Sequence, residues 1–567
     1  MSVDFAPRLR LITVLCILAA FLLVGKLYLL QIVHGSEYRE KAKRQYTVPQ
    51  ENLFDRGTIF FETRNGIAVT AAGVKTGFIL AIRPKEVTDA EGTYVALSTH
   101  MELSREEFLR KAGKKDDPYE EIARRIAPEV AEKLEAANLP GVQLYKDRWR
   151  FYPGGGLAAH ALGFVGWQGD VQAGRYGLER YYDDVLSRDG ETLYRNFFAE
   201  IFSDMKRTVE YGGTGDVITG IEPTVEQFLE NELREVRTKF KAVRAGGIIM
   251  DPYTGGIYAM ATSPSFDPNE FGRERDPAVY TNSLVEHVYE VGSIMKPLTL
   301  AAGLDAGVIT ATTTYYDAGF LTLNTETITN FDGKGRGRVN MQEVLNQSLN
   351  TGAATVALKL GRDRFVEYFT SFGFGEETGI DLPNEVAGLV KNLEGGRDIE
   401  LATASYGQGI ALTPIQTVRA LASLGNGGFL PAPHLAKQIK YRVGVSRSVG
   451  GFSKKQVFSK ETSEEITRML VEVVDKALRG GADKFAHYSI AAKTGTALLA
   501  REGGRGYYDD RFLHSFFGYF PAYNPRFIIF LYLLDPQGVT FASHTLPDPF
   551  FSTVKFLINY YEIPPDR

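Results

Sequence analysis

Hydrophobic and polar positions change rhythm several times along this chain, and each change marks an element. The first rhythm is unbroken: Leu11 to Val33 reads LITVLCILAAFLLVGKLYLLQIV, with Lys26 as its one charge. A helix needs about 20 apolar residues to cross a bilayer core, so the run predicts a transmembrane helix. Lys26 can snorkel toward an interface. Arg8 and Arg10 precede the run, which keeps residues 1–10 in the cytoplasm and sends everything after residue 33 outside. A cleaved signal peptide fits less well, because its apolar region would be shorter and no A-x-A-like site follows. Cys16 does not suit a lipoprotein anchor, since Leu15 stands where a small residue would be expected.

Past the membrane the pattern shortens. Glu37 to Arg44 is polar and suits a helix leaving the bilayer. Ile59–Phe61, Gly77–Ile82 and Val142–Tyr145 read as strands, and Pro118–Ala137 as a helix with acidic residues early and Lys133 late. Gly154-Gly155-Gly156 and Gly212-Gly213-Thr214-Gly215 are the strongest breaks. After the second break a strand is expected at Val217–Gly220. A helix follows over Glu222–Ala242, with Pro223 in its first turn. Gly246–Met250, a turn at Asp251–Gly256 and Ile257–Ala261 form a predicted hairpin. These readings divide the chain into residues 1–10, a membrane helix at 11–33, a mixed α+β region at 34–215 and one large α/β domain at 216–567. No internal repeat and no second run of spanning length is present.

Composition narrows the class. At 567 residues the chain holds roughly three to four domains' worth of sequence. An apolar content of 44% excludes a disordered or collagen-like chain. The 64 basic and 69 acidic residues leave a net charge of −5, which argues against a nucleic-acid binder. A single Cys excludes an internal disulfide framework and a Cys-rich metal site. Among the motifs, H-E-x-x-H, the P-loop, G-x-G-x-x-G and G-x-S-x-G are all absent. No metal or cofactor is therefore expected, and a His-based serine hydrolase has no motif to support it.

One constellation remains. Ser293-Ile294-Met295-Lys296 is S-x-x-K, Ser348-Leu349-Asn350 is S-x-N, and Lys493-Thr494-Gly495 is K-T-G, in that order. This is the motif set of active-serine acyl transferases. A serine hydroxyl is a poor nucleophile until a base takes its proton. At i, i+3 on a helix Ser293 and Lys296 share a face. A lysine can serve as that base if burial and a nearby cation lower its pKa, and Lys493 is a candidate for the cation. Two of the three motifs also occur elsewhere: S-x-x-K at Ser203–Lys206 and Ser552–Lys555, and K-T-G at Lys75–Gly77. Order and context select Ser293, which follows Gly292 and opens the apolar stretch Pro297–Leu304, as a residue at a helix N-terminus would. Free amides there can serve a developing oxyanion. Ser489–Lys493 reads as a strand to which an extended peptide could add, with Gly495 admitting a substrate backbone. Thr494 and Thr496 offer hydroxyls to a carboxylate.

From about residue 215 onward the chain resembles the transpeptidase domain of class B penicillin-binding proteins. The resemblance rests on Asp251-Pro252-x-Thr254-Gly255-Gly256, Pro264 to Asn269, Asn346 to Gly352, Tyr406-Gly407-Gln408-Gly409, Thr413 to Gln416 and Phe516 to Ala522. Arg56-Gly57-Thr58-Ile59 and Arg64-Asn65-Gly66 resemble the start of the family's non-catalytic pedestal. The resemblance implies an antiparallel sheet with flanking helices, of the serine β-lactamase kind. Ahead of it an elongated pedestal domain at 34–215 and a single-pass anchor in the cell membrane are implied. It implies Ser293 as acylated nucleophile, Lys296 as general base, and Ser348 and Asn350 as orienting groups, with Ser348 also a proton shuttle. Lys493 and Thr494 would receive the donor's terminal carboxylate, with Gly495 completing the catalytic motif. The amides of Ser293 and Thr496 would form the oxyanion hole.

The implied reaction cross-links peptidoglycan stem peptides. A D-alanyl-D-alanine donor acylates the serine and an amine acceptor resolves the ester. β-Lactams would acylate the same serine. A membrane glycosyltransferase of the SEDS type and division-complex proteins are the implied partners. The contexts of Gly407–Ile410 and Ser348–Gly352 look closer to the division (septal) branch than to the elongation branch. A β-lactam sensor, a β-lactamase of the same fold and a catalytically dead division scaffold are the competing readings. Two departures stand out: Val291 occupies the place of the family's usual proline before Gly-Ser, and no added domains follow the sheet before Arg567.

Overall fold

The computed structural model describes residues 54–169, 171–188, 213–452, 455–478, 485–501, 503 and 506–567, together with Lys26. Residues 11–33, where the membrane helix is expected, otherwise lie outside the described residues. Among the described helices none is long and apolar enough to cross a membrane. The chain divides into two compact units. The described residues of Val74–Trp149 make one, and those of Arg56–Gly73, Arg150–Arg188 and Thr192–Arg567 make the other.

The chain opens with β1 (Ile59–Glu62), which pairs antiparallel with the start of β2 (Ala68–Ile82). From Val74 onward β2 belongs to the first unit. There it joins α1 (Ala90–Ser98), α2 (Arg105–Ala112), β3 (Glu120–Ile126), α3 (Pro128–Ala136) and β4 (Val142–Phe151). Leu80, Ile82, Leu97, Phe108, Ile126 and Leu134 fill its core. The helix expected at Pro118–Ala137 is thus a strand followed by a shorter helix. Pro128 disfavours helical backbone at the residue before it, and Ala127 is extended (ψ 147°). Arg125 is left-handed at φ 58°, so no helix can run through it. The stretch ahead finds its backbone partners on β2, with Phe78 opposite Ile126 and Ile82 opposite Glu120.

In the second unit β5 (Gly215–Thr219) lies parallel to β1 and antiparallel to β8 (Ala436–Tyr441). α4 (Pro223–Lys239) starts where its proline predicts, and the Glu222 carboxylate accepts from the Val225 amide (2.7 Å). The predicted hairpin forms as β6 (Arg244–Met250) and β7 (Ile257–Ser263), with Ile248 opposite Met260. Asp251 Oδ1 accepts from the amides of Tyr253 (2.8 Å) and Thr254 (3.1 Å) to close its turn. β9 (Ala491–Ala500), β10 (Tyr507–Phe520) and β11 (Phe527–Leu534) complete an antiparallel sheet in the order β9-β10-β11-β6-β7. The apolar side chains Ile248, Ile249, Phe516, Phe517, Phe530 and Tyr532 are buried on it. Gly247 shows how closely α4 sits, since a Cβ there would come within 3.0 Å of Leu229.

Three helices pack together near β9: α8 (Lys460–Ala477) lies against the strand, and α5 (Lys296–Asp305) packs on both α8 and α6 (Asn350–Leu360). α7 (Pro414–Ala422) opens on the expected cap, with Thr413 Oγ1 accepting from the Gln416 amide (3.2 Å). α9 (Pro547–Tyr561) packs against α4. Elsewhere in this unit, Glu179 is fully buried between Arg56 and Arg150, with guanidinium nitrogens at 2.7 and 2.6 Å. That triad ties the start of β1 to the Arg150–Arg188 segment.

Candidate active site

Ser293 sits in a tight 3-10 turn, Gly292–Met295, that runs directly into α5. Pro297 lies in the first helical turn, where its missing N–H costs little. The turn is held from three sides. Gly292 has φ 65°, and a Cβ there would stand 2.6 Å from the Thr496 carbonyl of β9. Its amide donates to Gly407 O (3.1 Å), and Gly407, at φ 81°, has equally little room. From β10 the Ser515 hydroxyl donates to Val291 O (2.8 Å). Val291 itself, at φ −90° and buried, has a backbone close to the range a proline would accept.

The helix geometry places Lys296 Nζ 3.0 Å from Ser293 Oγ. Lys296 is fully buried. Its amine also meets Ser348 O (2.5 Å) and Ser348 Oγ (3.1 Å). Ser348 offers both atoms because it sits at φ 55° between two helices, a left-handed conformation uncommon for serine. On its other side Ser348 Oγ accepts from Lys493 Nζ (3.1 Å), which also donates to Thr494 O (3.1 Å). Four predicted residues thus form one chain of contacts, Ser293–Lys296–Ser348–Lys493.

The electrostatics follow from burial. Desolvation holds the Lys296 pKa well below the ordinary lysine range, and the Lys493 charge lowers it further. Lys493, also buried, is lowered to about 8 by desolvation. Burial and the neighbouring charge therefore favour the neutral amine at Ser293, while Lys493 keeps its proton below about 8. A neutral Lys296 has two N–H donors for Ser348 O and Ser348 Oγ, leaving its lone pair for the Ser293 hydroxyl proton.

The remaining predicted residues surround this chain without all touching it. The Asn350 amide opens α6 and donates to Thr329 O (2.8 Å) rather than to Lys296. Thr494 and Thr496 are half-buried on β9, the outermost strand of the sheet. The Thr496 hydroxyl accepts from the Ala542 amide (3.0 Å). Gly495 corrects an expectation. The space a Cβ would need there is occupied by protein atoms, with Ser515 Oγ at 2.4 Å and Val291 O at 2.6 Å. The glycine lets the strand lie against the nucleophile turn; it does not make room for a substrate backbone. Sequence reading also missed Ser515, which lies in a phenylalanine-rich strand and carries no motif. Gly407 belongs to the Tyr406–Gly409 signature, but its close packing on Gly292 has no local signal.

Comparison with known proteins agrees with this architecture. Residues 245–554 match the family described as the penicillin binding protein transpeptidase domain, and residues 54–195 match the penicillin-binding protein dimerisation domain. The chain is 30% identical over 565 residues to Stage V sporulation protein D of Bacillus subtilis, covering 98% of this chain and 85% of that one. To the peptidoglycan D,D-transpeptidase FtsI of Escherichia coli K12 it is 28% identical, over 95% of this chain and 89% of that one. Among solved structures, penicillin binding protein 2X of Streptococcus thermophilus superposes with a TM-score of 0.73 at 20% identity, covering 90% of this chain and 80% of that one. Penicillin binding protein 3 of Mycobacterium tuberculosis, complexed with aztreonam, gives 0.69 at 22% identity, covering 91% and 98%. These two likenesses concern the fold.

Proposed function

The chain belongs to the class B penicillin-binding proteins, and from that premise we propose that it is a membrane-anchored peptidoglycan D,D-transpeptidase of septal wall synthesis, with Ser293 as the acylated residue. The observation that carries the reading is a buried lysine amine 3.0 Å from a serine hydroxyl, with a second buried lysine reaching the same Ser348 hydroxyl.

The steps follow from this geometry. Neutral Lys296 takes the Ser293 proton as Oγ attacks the carbonyl of the donor's penultimate D-alanine. The oxyanion forms beside the amides of Ser293 and Thr496, whose peptides lie close because Gly292 packs on Thr496 O. The peptide C–N bond then breaks. The departing D-alanine amine takes the proton from Lys296, relayed through Ser348 Oγ, and an acyl-serine ester remains. An acceptor amine attacks that ester and gives a proton to Lys296. The C–O bond breaks, and Ser293 regains its proton. Lys493, as an ammonium, favours neutral Lys296 and pairs with the donor's terminal carboxylate, alongside the Thr494 and Thr496 hydroxyls. An extended donor would add to the outer edge of β9.

The apolar run at residues 11–33 supports the anchor, with the catalytic unit outside the cell membrane. A SEDS-type glycosyltransferase and division proteins are the partners this role requires. The named relative FtsI supports the transpeptidase activity, and the Gly407–Ile410 and Ser348–Gly352 contexts support the division branch. Incubation with penicillin followed by peptide mass mapping tests the reading. An adduct on Ser293, lost in Ser293→Ala, is expected. A wild-type protein that takes up no penicillin would sink the proposal. Rapid repeated turnover of nitrocefin would replace it with a β-lactamase.

A further inference from the structure

The wall behind Thr496 is built around a buried histidine. His514 lies on β10 directly opposite Thr496 on β9 and is fully buried. Its Nε2 is 3.0 Å from Thr540 O, and its Nδ1 is 2.9 Å from Thr545 Oγ1. A carbonyl only accepts, so Nε2 carries the hydrogen. Burial lowers the ring's pKa to about 4, so it is neutral and Nδ1 accepts from the Thr545 hydroxyl. Both ends of the Thr540–Thr545 turn therefore hang on one side chain. Within that turn the Ala542 amide donates to Thr496 Oγ1 (3.0 Å), and Ala542 O, at 3.2 Å from Thr545 Oγ1, is the alternative acceptor for the one Thr545 hydroxyl proton.

This arrangement constrains what the Thr496 hydroxyl can do. A hydroxyl has one proton to donate and two lone pairs to accept with. With the Ala542 amide on one lone pair, that side of the oxygen is closed to the hydroxyl proton, which stays free for another acceptor. We propose that His514 is a positioning residue for recognition of the donor's terminal carboxylate: it holds the Thr540–Thr545 turn so that the Ala542 amide presents the Thr496 hydroxyl as a donor. The proposal rests on the transpeptidase reading above. It assigns His514 no contact with substrate and no proton transfer.

The test compares two acyl donors: a D-alanyl thioester whose leaving group ends in a carboxylate, and the methyl ester of the same compound. Acylation rate constants are measured for the full chain in detergent, and the readout is their ratio, carboxylate over ester. His514→Ala should lower that ratio by about fivefold or more, because a hydrogen bond to a charged group is misplaced. The ester arm should stay within about twofold of wild type, which a general loss of structure would not allow. His514→Gln keeps an N–H for Thr540 O and should recover most of the ratio. Thr545→Val removes the second tie and should give an intermediate value. If His514→Ala does not fold, the other two variants decide. A ratio unchanged in Thr545→Val, or equal losses in both arms of any folded variant, would overturn the proposal. A wild-type protein acylated by neither compound would overturn the transpeptidase reading itself, and the positioning role with it.

Discussion

Lys296 can act as a base because it is buried beside a second lysine, and that arrangement sets a pH profile. The folded pKa of Lys296 lies well below the ordinary value, so the neutral fraction grows as pH rises through it. Lys493 loses its proton only above about 8. The second-order rate constant for Ser293 acylation should therefore rise with pH, reach a plateau and fall above about 8 as the carboxylate loses its cation. Stopped-flow acylation with a carboxylate-bearing β-lactam across pH 5 to 10 checks both limbs. Gly495 gives a second prediction at this scale. A methyl group there meets Ser515 Oγ and the Val291 carbonyl. Gly495→Ala should cost about 1–3 kcal/mol by overpacking and slow acylation by roughly a hundredfold by displacing the nucleophile turn. Urea denaturation and penicillin labelling measure the two effects separately. Trimming the neighbour with Ser515→Ala should not restore the rate, because the backbone carbonyl remains.

Elements form where local signals and neighbours agree. α4, α7 and the β6–β7 hairpin begin and end on their own caps and turns, Glu222, Thr413 and Asp251, so they were legible in the chain. The segment from Pro118 was not. Its charged residues suit a helix, but Pro128 cuts it, and backbone pairing with β2 makes the first part a strand. The junction of β1 with the Arg150–Arg188 segment shows the cost of long-range order. Glu179 has no exposure and answers two guanidinium groups. Removing one partner of a buried pair costs about 3–5 kcal/mol. Glu179→Gln should therefore lower the unfolding free energy by about 3 kcal/mol or more, read by thermal denaturation. The folded fraction should label with penicillin at an unchanged rate, because Glu179 touches none of the catalytic side chains.

For the molecule as a whole, the proposed membrane anchor and the unit that carries Ser293 make separate demands on the chain. The proposed chemistry falls in the unit that carries Ser293, and the apolar run lies at residues 11–33. A protein beginning near residue 50 should be soluble without detergent and should acylate at a rate within about twofold of the full chain. Fractionation and a penicillin-binding assay check this. A truncated protein that stays in the membrane pellet would place an anchor elsewhere.

The sequence by itself determined the chemical inventory: S-x-x-K, S-x-N and K-T-G in one fixed order, with a single thiol and no metalloprotease motif to compete. It could do so because the S-x-x-K spacing brings its serine and lysine together within a single helical turn. Only the tertiary structure decided that Lys296 is pushed toward its neutral form, since the shift comes from burial and from Lys493 on a distant strand. It also decided the meaning of Gly495 and of His514. Their partners, Val291 and Ser515 in one case and Thr540 and Thr545 in the other, are brought near by sheet register and a loop return, and short-range pattern carries no trace of either.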